Sequence, residues 1–485
     1  MASQEKHSLI YLLGRGIPGL INFLTLSIYT HTLSPEDYGQ YALIIAGVAL
    51  TSSLLFLWLK LSLLRFWESD KFNRNNLNVL SNLSVGFIAC TMLAFFLMIP
   101  LLYYDGNFDK RLILSGFIIL IFDTLLEICL DYYRANLNPI RYSLIFISKS
   151  SLYFLLGVGS TYLGFGAWGV LVSMILSLFL ILSIYCYPLL KIFVRSLKSF
   201  KKEHFGTFFK YGAPFTLTFS MGFIFNSSDR FFISYFIGEK ATGLYSVGYD
   251  LARQSLWILF YTISLATYPI IMNTHQKKGV VEAQVELNKS LILFLLIGIP
   301  CSFLFLGAPS EISNMLVGAR FAPVVKQILP WIAIGTLILG VKNFYFDVFF
   351  QLENKTLLQV VPVVFAAISN IVINLFIIPA LGLMGAVYSS LVSFLVAFGL
   401  SAVLSRQFIQ VRFPFWIVFK IVIAGIIMLI PLFLCRSYVD DLMFLYLICP
   451  FSILVYLISL KVLKLKELES IFKLASLLKK IKTRE

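Results

Sequence analysis

Charge is scarce in this chain, and so is polar length. Only 13% of its 485 residues are Asp, Glu, Lys or Arg, and no polar stretch between its apolar runs exceeds roughly 25 residues. That leaves no room for a soluble catalytic domain. Histidine is scarcer still: His7, His31, His204 and His275 are the full set, all in loops or at helix ends, with no H-E-x-x-H or paired metal spacing. The six cysteines (Cys90, Cys129, Cys186, Cys301, Cys435 and Cys449) show no C-x-x-C spacing and mostly fall within apolar runs, so they read as small core residues. A phosphate-binding loop is missing, which argues against ATP hydrolysis. No catalytic residue, metal site or cofactor is expected, and any driving energy must come from a gradient or a partner.

What fills the chain is apolar. Hydrophobic residues make up 59% of it and mean hydropathy is +0.88, beyond what a globule with a charged surface reaches. About fourteen runs are each long enough to cross a bilayer. They fall at residues 9–30, 41–62, 79–102, 112–133, 143–163, 167–188, 213–237, 245–270, 291–309, 326–350, 357–378, 384–404, 415–434 and 442–462. The first exceeds a signal-peptide core and lacks an A-x-A-like exit, so it is expected to stay as a helix. An all-α polytopic membrane protein follows.

The net charge of +15 could suggest nucleic acid, but the basic residues are sorted by loop. With a cytoplasmic amino terminus, twenty-six Lys and Arg fall on inner segments and five (Lys110, Arg111, Lys240, Arg320 and Arg436) on outer ones. This is a positive-inside distribution with an even number of spans and both termini cytoplasmic. Topology and anionic membrane lipids account for the charge, and no nucleic-acid partner is needed.

The longest inner linker, RSLKSFKKEHFGTFFKYG, separates six helices from eight. Across it the sequence repeats weakly and in order. Leu33, Ser34, Gly39 and Tyr41 correspond to Ile237, Gly238, Gly243 and Tyr245 at an offset of 204; Asp131, Asn138, Gly166, Gly169 and Ser173 correspond to Asp347, Asn354, Gly382, Gly385 and Ser389 at 216. Six intervening helices give both halves one orientation, related by an axis along the membrane normal, and transporters of this kind bind substrate between the halves. The expected organisation is an amino-terminal lobe (1–190), a basic linker (191–212), a second pseudo-symmetric six-helix lobe (213–404), a helical hairpin (405–462) and a basic amphipathic tail on the inner leaflet (463–485).

Against this background the buried polar residues carry the information. Asp123, Glu127 and Asp131 are four apart, on one face of the fourth helix. They suit a proton or cation relay, or structural pairing with Lys149 or Arg134. The seventh and eighth helices carry Asp229 with Arg230 and Asp250 with Arg253, at similar depth, either as a network pinning the pair together or as a ligand site. Arg230 and Arg253 suit anion contact, because a guanidinium grips phosphate or carboxylate in a fork. Arg15, Lys149 and Lys342 add cationic character, and Lys60 reads as snorkelling to headgroups. Asn370 and Asn374, four apart, suit hydrogen bonds between helices. Gly14, Gly16, Pro18, Gly19, Gly212 and Pro214 loosen the first helix of each half, the pair expected to move.

The opening GRGIPGLINFLTLSIYTHTLSPEDYGQYAL and the later NSSDRFFISYFIGEKATGLYSVGYDLA, in which D-R-F-F-I precedes a G-x-Y hairpin, resemble the polysaccharide transporter branch of the multidrug, oligosaccharidyl-lipid and polysaccharide exporter superfamily. That branch includes flippases for O-antigen and exopolysaccharide, and the resemblance covers nearly the whole chain. It implies two six-helix lobes in a V with a carboxy-terminal hairpin, a cationic cavity and alternating access. It further implies a lipid-diphosphate-linked oligosaccharide as substrate, moved to the outer leaflet of a bacterial cytoplasmic membrane. Proton or sodium coupling and a glycan polymerase partner are expectations set beside it. Arg15, Arg230 and Arg253 match the branch's cavity arginines in type and helix placement. A cation-coupled drug exporter of the same superfamily is the first alternative; a membrane glycan polymerase or ligase is the second.

Overall fold

The computed structural model describes residues 2–67, 77–103, 109–200, 202–436 and 438–465, with side chains for all of these except 2–13, 15, 203, 204, 214, 215 and 217–219. The expected tail from 466 onward, Lys71, Arg74 and the Arg15 side chain lie outside what is described. Among the described residues every regular element is helical. In hydrocarbon each N–H and C=O must be satisfied within its own segment, and apolar runs of this length leave the helix as the only open structure that does so.

The helices are α1 (Ala2–Thr32), α2 (Pro35–Leu55, resuming as Leu57–Phe66), α3 (Leu77–Tyr103), α4 (Lys110–Ala135), α5 (Pro139–Tyr162), α6 (Gly166–Ser199), α7 (Lys202–Ser227, resuming as Asp229–Phe236) and α8 (Glu239–Lys278). They continue as α9 (Val280–Gly307), α10 (Ala322–Leu352), α11 (Thr356–Leu381), α12 (Leu383–Phe408), α13 (Phe415–Cys435) and α14 (Asp441–Val462). Twelve of these described helices are long and apolar enough to span a membrane by composition. α1 and the first segment of α7, at 31 and 26 residues, have the length to do so as well. The fourteen apolar runs thus correspond to fourteen helices.

Local chemistry sets the boundaries. Ser34 caps α2, its Oγ accepting from Asp37 N at 3.0 Å, with Pro35 at the first helical position. Asp109 caps α4 and Asn138 caps α5 through the same kind of bond. Gly166 and Gly382, matched at offset 216 in the sequence, open α6 and precede α12 with φ of +56° and +61°. Both turns require a left-handed residue, which glycine supplies without steric cost.

Contacts divide the chain into two compact units. One comprises α1 to α7, the first turns of α8 and Asn370–Leu383; the other holds the rest of α8 and α11 with α9, α10 and α12 to α14. The first unit is centred on Leu59, Leu83, Ile119, Leu126, Leu171 and Phe208, the second on Leu287, Leu291, Tyr345, Phe349, Met428 and Leu432. Large apolar side chains also point outward, with Phe96 65% and Phe376 74% exposed, as lipid-facing residues must. Small and polar residues such as Ser62, Asn82, Ser302 and Ser393 turn inward, the reverse of a soluble protein's pattern.

The end of α6 and the starts of α7 and α9 depart from the sequence expectation, each helix being longer there by about three turns. The basic linker at 191–212 is largely helical, and α7 starts at Lys202 rather than near 213. Its aromatic face explains this. Phe208 is fully buried and stacks on Phe66 at 4.9 Å, Phe205 and Phe209 meet Trp58 edge-on, and Ser62 Oγ donates to the Phe208 carbonyl at 3.0 Å. The linker docks against the second segment of α2 while Lys191, Lys198, Lys202 and Lys210 stay outside.

Candidate functional site

The carboxylates of α4 are paired. Asp123 accepts from Lys149 Nζ on α5 at 2.5 Å, and Glu127 accepts from Lys60 Nζ on α2 at 2.5 Å. Asp131 is also engaged. Two ion pairs, one helical turn apart, therefore tie three helices together, and Lys60 turns inward to a carboxylate instead of snorkelling. Asp123 lies about 18 Å along the axis from the Ala135 end of α4, near the middle of a roughly 30 Å core. The paired side chains nevertheless keep 18–37% of their surface open. Charge exposed at that depth is stable against water or a polar ligand, not against acyl chains.

A second centre surrounds Asp229, which follows the interruption of α7 at Ser228 and is 2% exposed. Its Oδ1 accepts from the side-chain amides of Asn374 at 2.6 Å and Asn370 at 3.0 Å, and its Oδ2 from the Tyr245 hydroxyl at 2.6 Å. Ser228 Oγ donates to Asn370 Oδ1 at 2.6 Å. Hydrogen bonds to an ionised acceptor are about twice as strong as neutral ones, and three such bonds offset much of the cost of burying this carboxylate. The amide oxygen of Asn374 is buried in the same cluster with no hydrogen-bond partner. Carboxylate, amide and phenol oxygens converging in one dry place form a set of hard donors suited to a proton or a small hard cation.

Arg230 is half-buried beside Asp229 and engaged in an interaction of its own. Arg253 lies over the rings of Tyr249 and Trp257, at 5.7 and 5.6 Å from their centroids, and donates to the Tyr249 hydroxyl at 3.2 Å. Stacking holds the plane of this guanidinium while leaving other donors of its fork for a ligand. Asp250, three residues earlier, is half-buried and partnered. Lys342 differs from both arginines. It is 2% exposed and bound to Asp347 at 2.7 Å, and Asp347 also accepts from Ser401 Oγ at 3.0 Å.

Sequence reasoning singled out Asp229, Asn370 and Asn374 but not their meeting, placed Ser228 only beside Asp229 in the polar run of the seventh helix, and gave Tyr245 only a place in a repeat. The one local signal was the N-x-x-x-N spacing on α11, which demands a polar partner somewhere on a neighbouring helix.

A family profile described as polysaccharide biosynthesis protein matches residues 5–275, and one described as MatE matches 214–376. An uncharacterised membrane protein of Methanocaldococcus jannaschii is 22% identical over 361 residues, covering 70% of this chain and 68% of that protein. Among solved structures, the lipid II flippase MurJ in an inward closed conformation superimposes with a TM-score of 0.75 at 15% identity, covering 94% of this chain and 98% of that one. An inward-facing multidrug resistance MATE family transporter gives 0.57 at 15% identity, over 82% and 97%. A MOP superfamily transporter from Pyrococcus furiosus gives 0.52 at 17% identity, over 83% and 95%.

Proposed function

The chain belongs to the polysaccharide biosynthesis protein family, within the multidrug, oligosaccharidyl-lipid and polysaccharide exporter superfamily, and we propose that it flips a lipid-diphosphate-linked oligosaccharide across a bacterial cytoplasmic membrane. The observation that carries this reading is the extent of the likeness to the lipid II flippase, which spans almost the whole of both chains, together with stacked or half-buried arginines at membrane depth. The headgroup enters from the cytoplasmic side, and Arg230, Arg253, Arg15 and Lys149 replace the water around its diphosphate. The lipid tail stays in the bilayer while the lobes alternate. Lys342, enclosed with Asp347, supports its helix rather than touching substrate. The product becomes available to a glycan polymerase outside, and the basic inner segments hold anionic lipid.

The test is reconstitution. Purified protein in vesicles carrying a diphosphate-linked oligosaccharide on a polyprenyl chain is expected to raise the fraction of glycan reached by an impermeant glycosidase on the opposite face. A drug exporter is the second reading, favoured by the MatE match over 214–376 and by the acidic α4 face. Under that reading the same vesicles would move an aromatic cation such as ethidium and leave the glycolipid where it was.

Coupling is assigned to Asp229. The isosteric Asp229→Asn removes the charge and leaves Tyr245, Asn370 and Asn374 around a weaker acceptor. It is expected to cut transport about 10- to 100-fold, in line with the roughly 1.5–3 kcal/mol of a hydrogen bond to a charged group, and to abolish acceleration by an imposed proton or sodium gradient. A variant that still responds to the gradient as the parent does would remove Asp229 from the coupling path.

A further inference from the structure

Each of the two paired α4 carboxylates hangs on one bond. Among the described residues Lys149 is the only hydrogen-bond donor to Asp123, and Lys60 the only one to Glu127. Asp229 and Asp347 are held differently. The first accepts from three side chains, and the second from both Lys342 and Ser401 inside a closed core. Asp123 and Glu127 instead keep 23% and 37% of their side-chain surface open, and their lysines 22% and 18%. Singly tethered and open at membrane depth, these are pairs that a polar ligand reaches and that no second donor fixes in place.

That the partners are lysines matters. A guanidinium would clamp a carboxylate in a fork, whereas an ammonium is a point charge on a flexible stem with three donors. Each lysine uses one donor on its carboxylate and keeps two. Lys149 also feels the charge of Glu127, so the four groups act as one net-neutral quartet drawn from α2, α4 and α5, with its carboxylates about 6 Å apart along the α4 axis. Neutrality explains how two lysines tolerate that depth when no ligand is present, since an unpaired ammonium in the middle of a bilayer is costly. A diphosphate offers oxygens of the same kind, more charge, and two linked phosphoryl groups for two ammonium groups.

We infer that Asp123 and Glu127 are built-in counter-anions whose places the substrate diphosphate takes, on Lys149 and on its neighbour Lys60. The displaced carboxylates turn to water on the same open face. This rests on the flippase reading and adds Lys60 to the groups that meet the headgroup. Each carboxylate thereby sets how firmly the empty site keeps its lysine and how readily it lets the headgroup go. A proton relay along α4 and a passive brace between three helices are the alternatives.

The three differ in the sign of one effect. The test is calorimetric binding of inorganic pyrophosphate to the purified full-length protein in detergent, with glycolipid translocation in vesicles measured alongside. Glu127→Gln and Asp123→Asn each remove a counter-anion at nearly constant shape, and each is expected to bind pyrophosphate about tenfold tighter than the parent while translocating several-fold more slowly, because release is harder. Lys60→Gln is expected to bind at least tenfold more weakly. Joined to Glu127→Gln, it should abolish the gain that Glu127→Gln gives alone. A brace predicts no gain of affinity in any variant, and a relay predicts slower transport at unchanged affinity; either result overturns the exchange. Phosphatidylglycerol added to the detergent should leave pyrophosphate affinity unchanged, and competition by it would give the lysines to ordinary headgroups and overturn the exchange as well. If Asp123→Asn does not elute as a single species, the more exposed Glu127→Gln decides. A parent that neither binds pyrophosphate nor moves glycolipid defeats the flippase reading and this inference with it. A parent that does both, with carboxylate variants that bind no tighter, defeats the exchange alone.

Discussion

Replacing Arg230 and Arg253 together by alanine is expected to lower glycolipid translocation by at least a hundredfold at equal membrane expression. A guanidinium–phosphate contact is a charge-assisted, commonly bidentate interaction, and hydrogen bonds to charged groups contribute about 1.5–3 kcal/mol each. Losing one such contact therefore costs about one to two powers of ten, and the diphosphate offers enough oxygens to engage both arginines. The single variants should each fall about tenfold or more. Lysine at either position keeps the charge and loses the fork, so partial activity is expected. The loss should be larger at position 253, where Tyr249 and Trp257 hold a planar group in place and an ammonium cannot stack in the same way. Translocation read by impermeant glycosidase, with elution as a single species to exclude misfolding, checks all five variants. An unchanged double alanine variant would sink the assignment.

Where the sequence was legible, the reason was local. Apolar run length specifies a membrane helix because the bilayer has one thickness, and Ser34–Pro35, Asp109 and Asn138–Pro139 mark helix starts through bonds to residues two or three away. The repeat was visible in Gly166 and Gly382 because a positive φ leaves few choices of residue. Gly39 and Gly243 were visible as a repeat, but not as partners, since nothing local says that two hairpins 204 residues apart touch. Asp229 and Asn374 are separated by 145 positions and are hidden for the same reason. The α4 carboxylates were readable as one face, and Lys149 was named as a candidate partner. Lys60 was not, because a lysine near a helix end ordinarily reaches for headgroups and here a carboxylate lies closer.

Lys342 shows a different obstacle. At 3.6 residues per turn, Lys342 and Asp347 are about 140° apart around the axis, so helical arithmetic keeps them from pairing and leaves the lysine free to face a ligand. The chain instead makes a π turn over Lys342–Phe346. Widening the helix to bonds between residues i and i+5 brings the two groups to 2.7 Å within a closed core.

That enclosure sets the second large effect. Asp347→Ala leaves an ammonium that is 3% exposed without its counter-charge, and breaking a buried pair from one side costs about 3–5 kcal/mol. Lys342→Ala strands the carboxylate, but Ser401 still serves it, so the loss should be slightly smaller. Asp347→Asn keeps the shape, removes one charge and should fall between parent and alanine. The decisive variant is the double Lys342→Met, Asp347→Leu. Well-packed apolar replacements of a buried pair are often neutral or stabilising, so this protein should recover most of the stability that either alanine variant loses. Thermal unfolding of the purified protein in detergent, followed by the fraction remaining monodisperse, ranks the four. Recovery in the double variant together with parent-like translocation would mean that the pair braces the π turn and takes no part in transport. Recovery of stability with translocation still lost would instead return Lys342 to the substrate path.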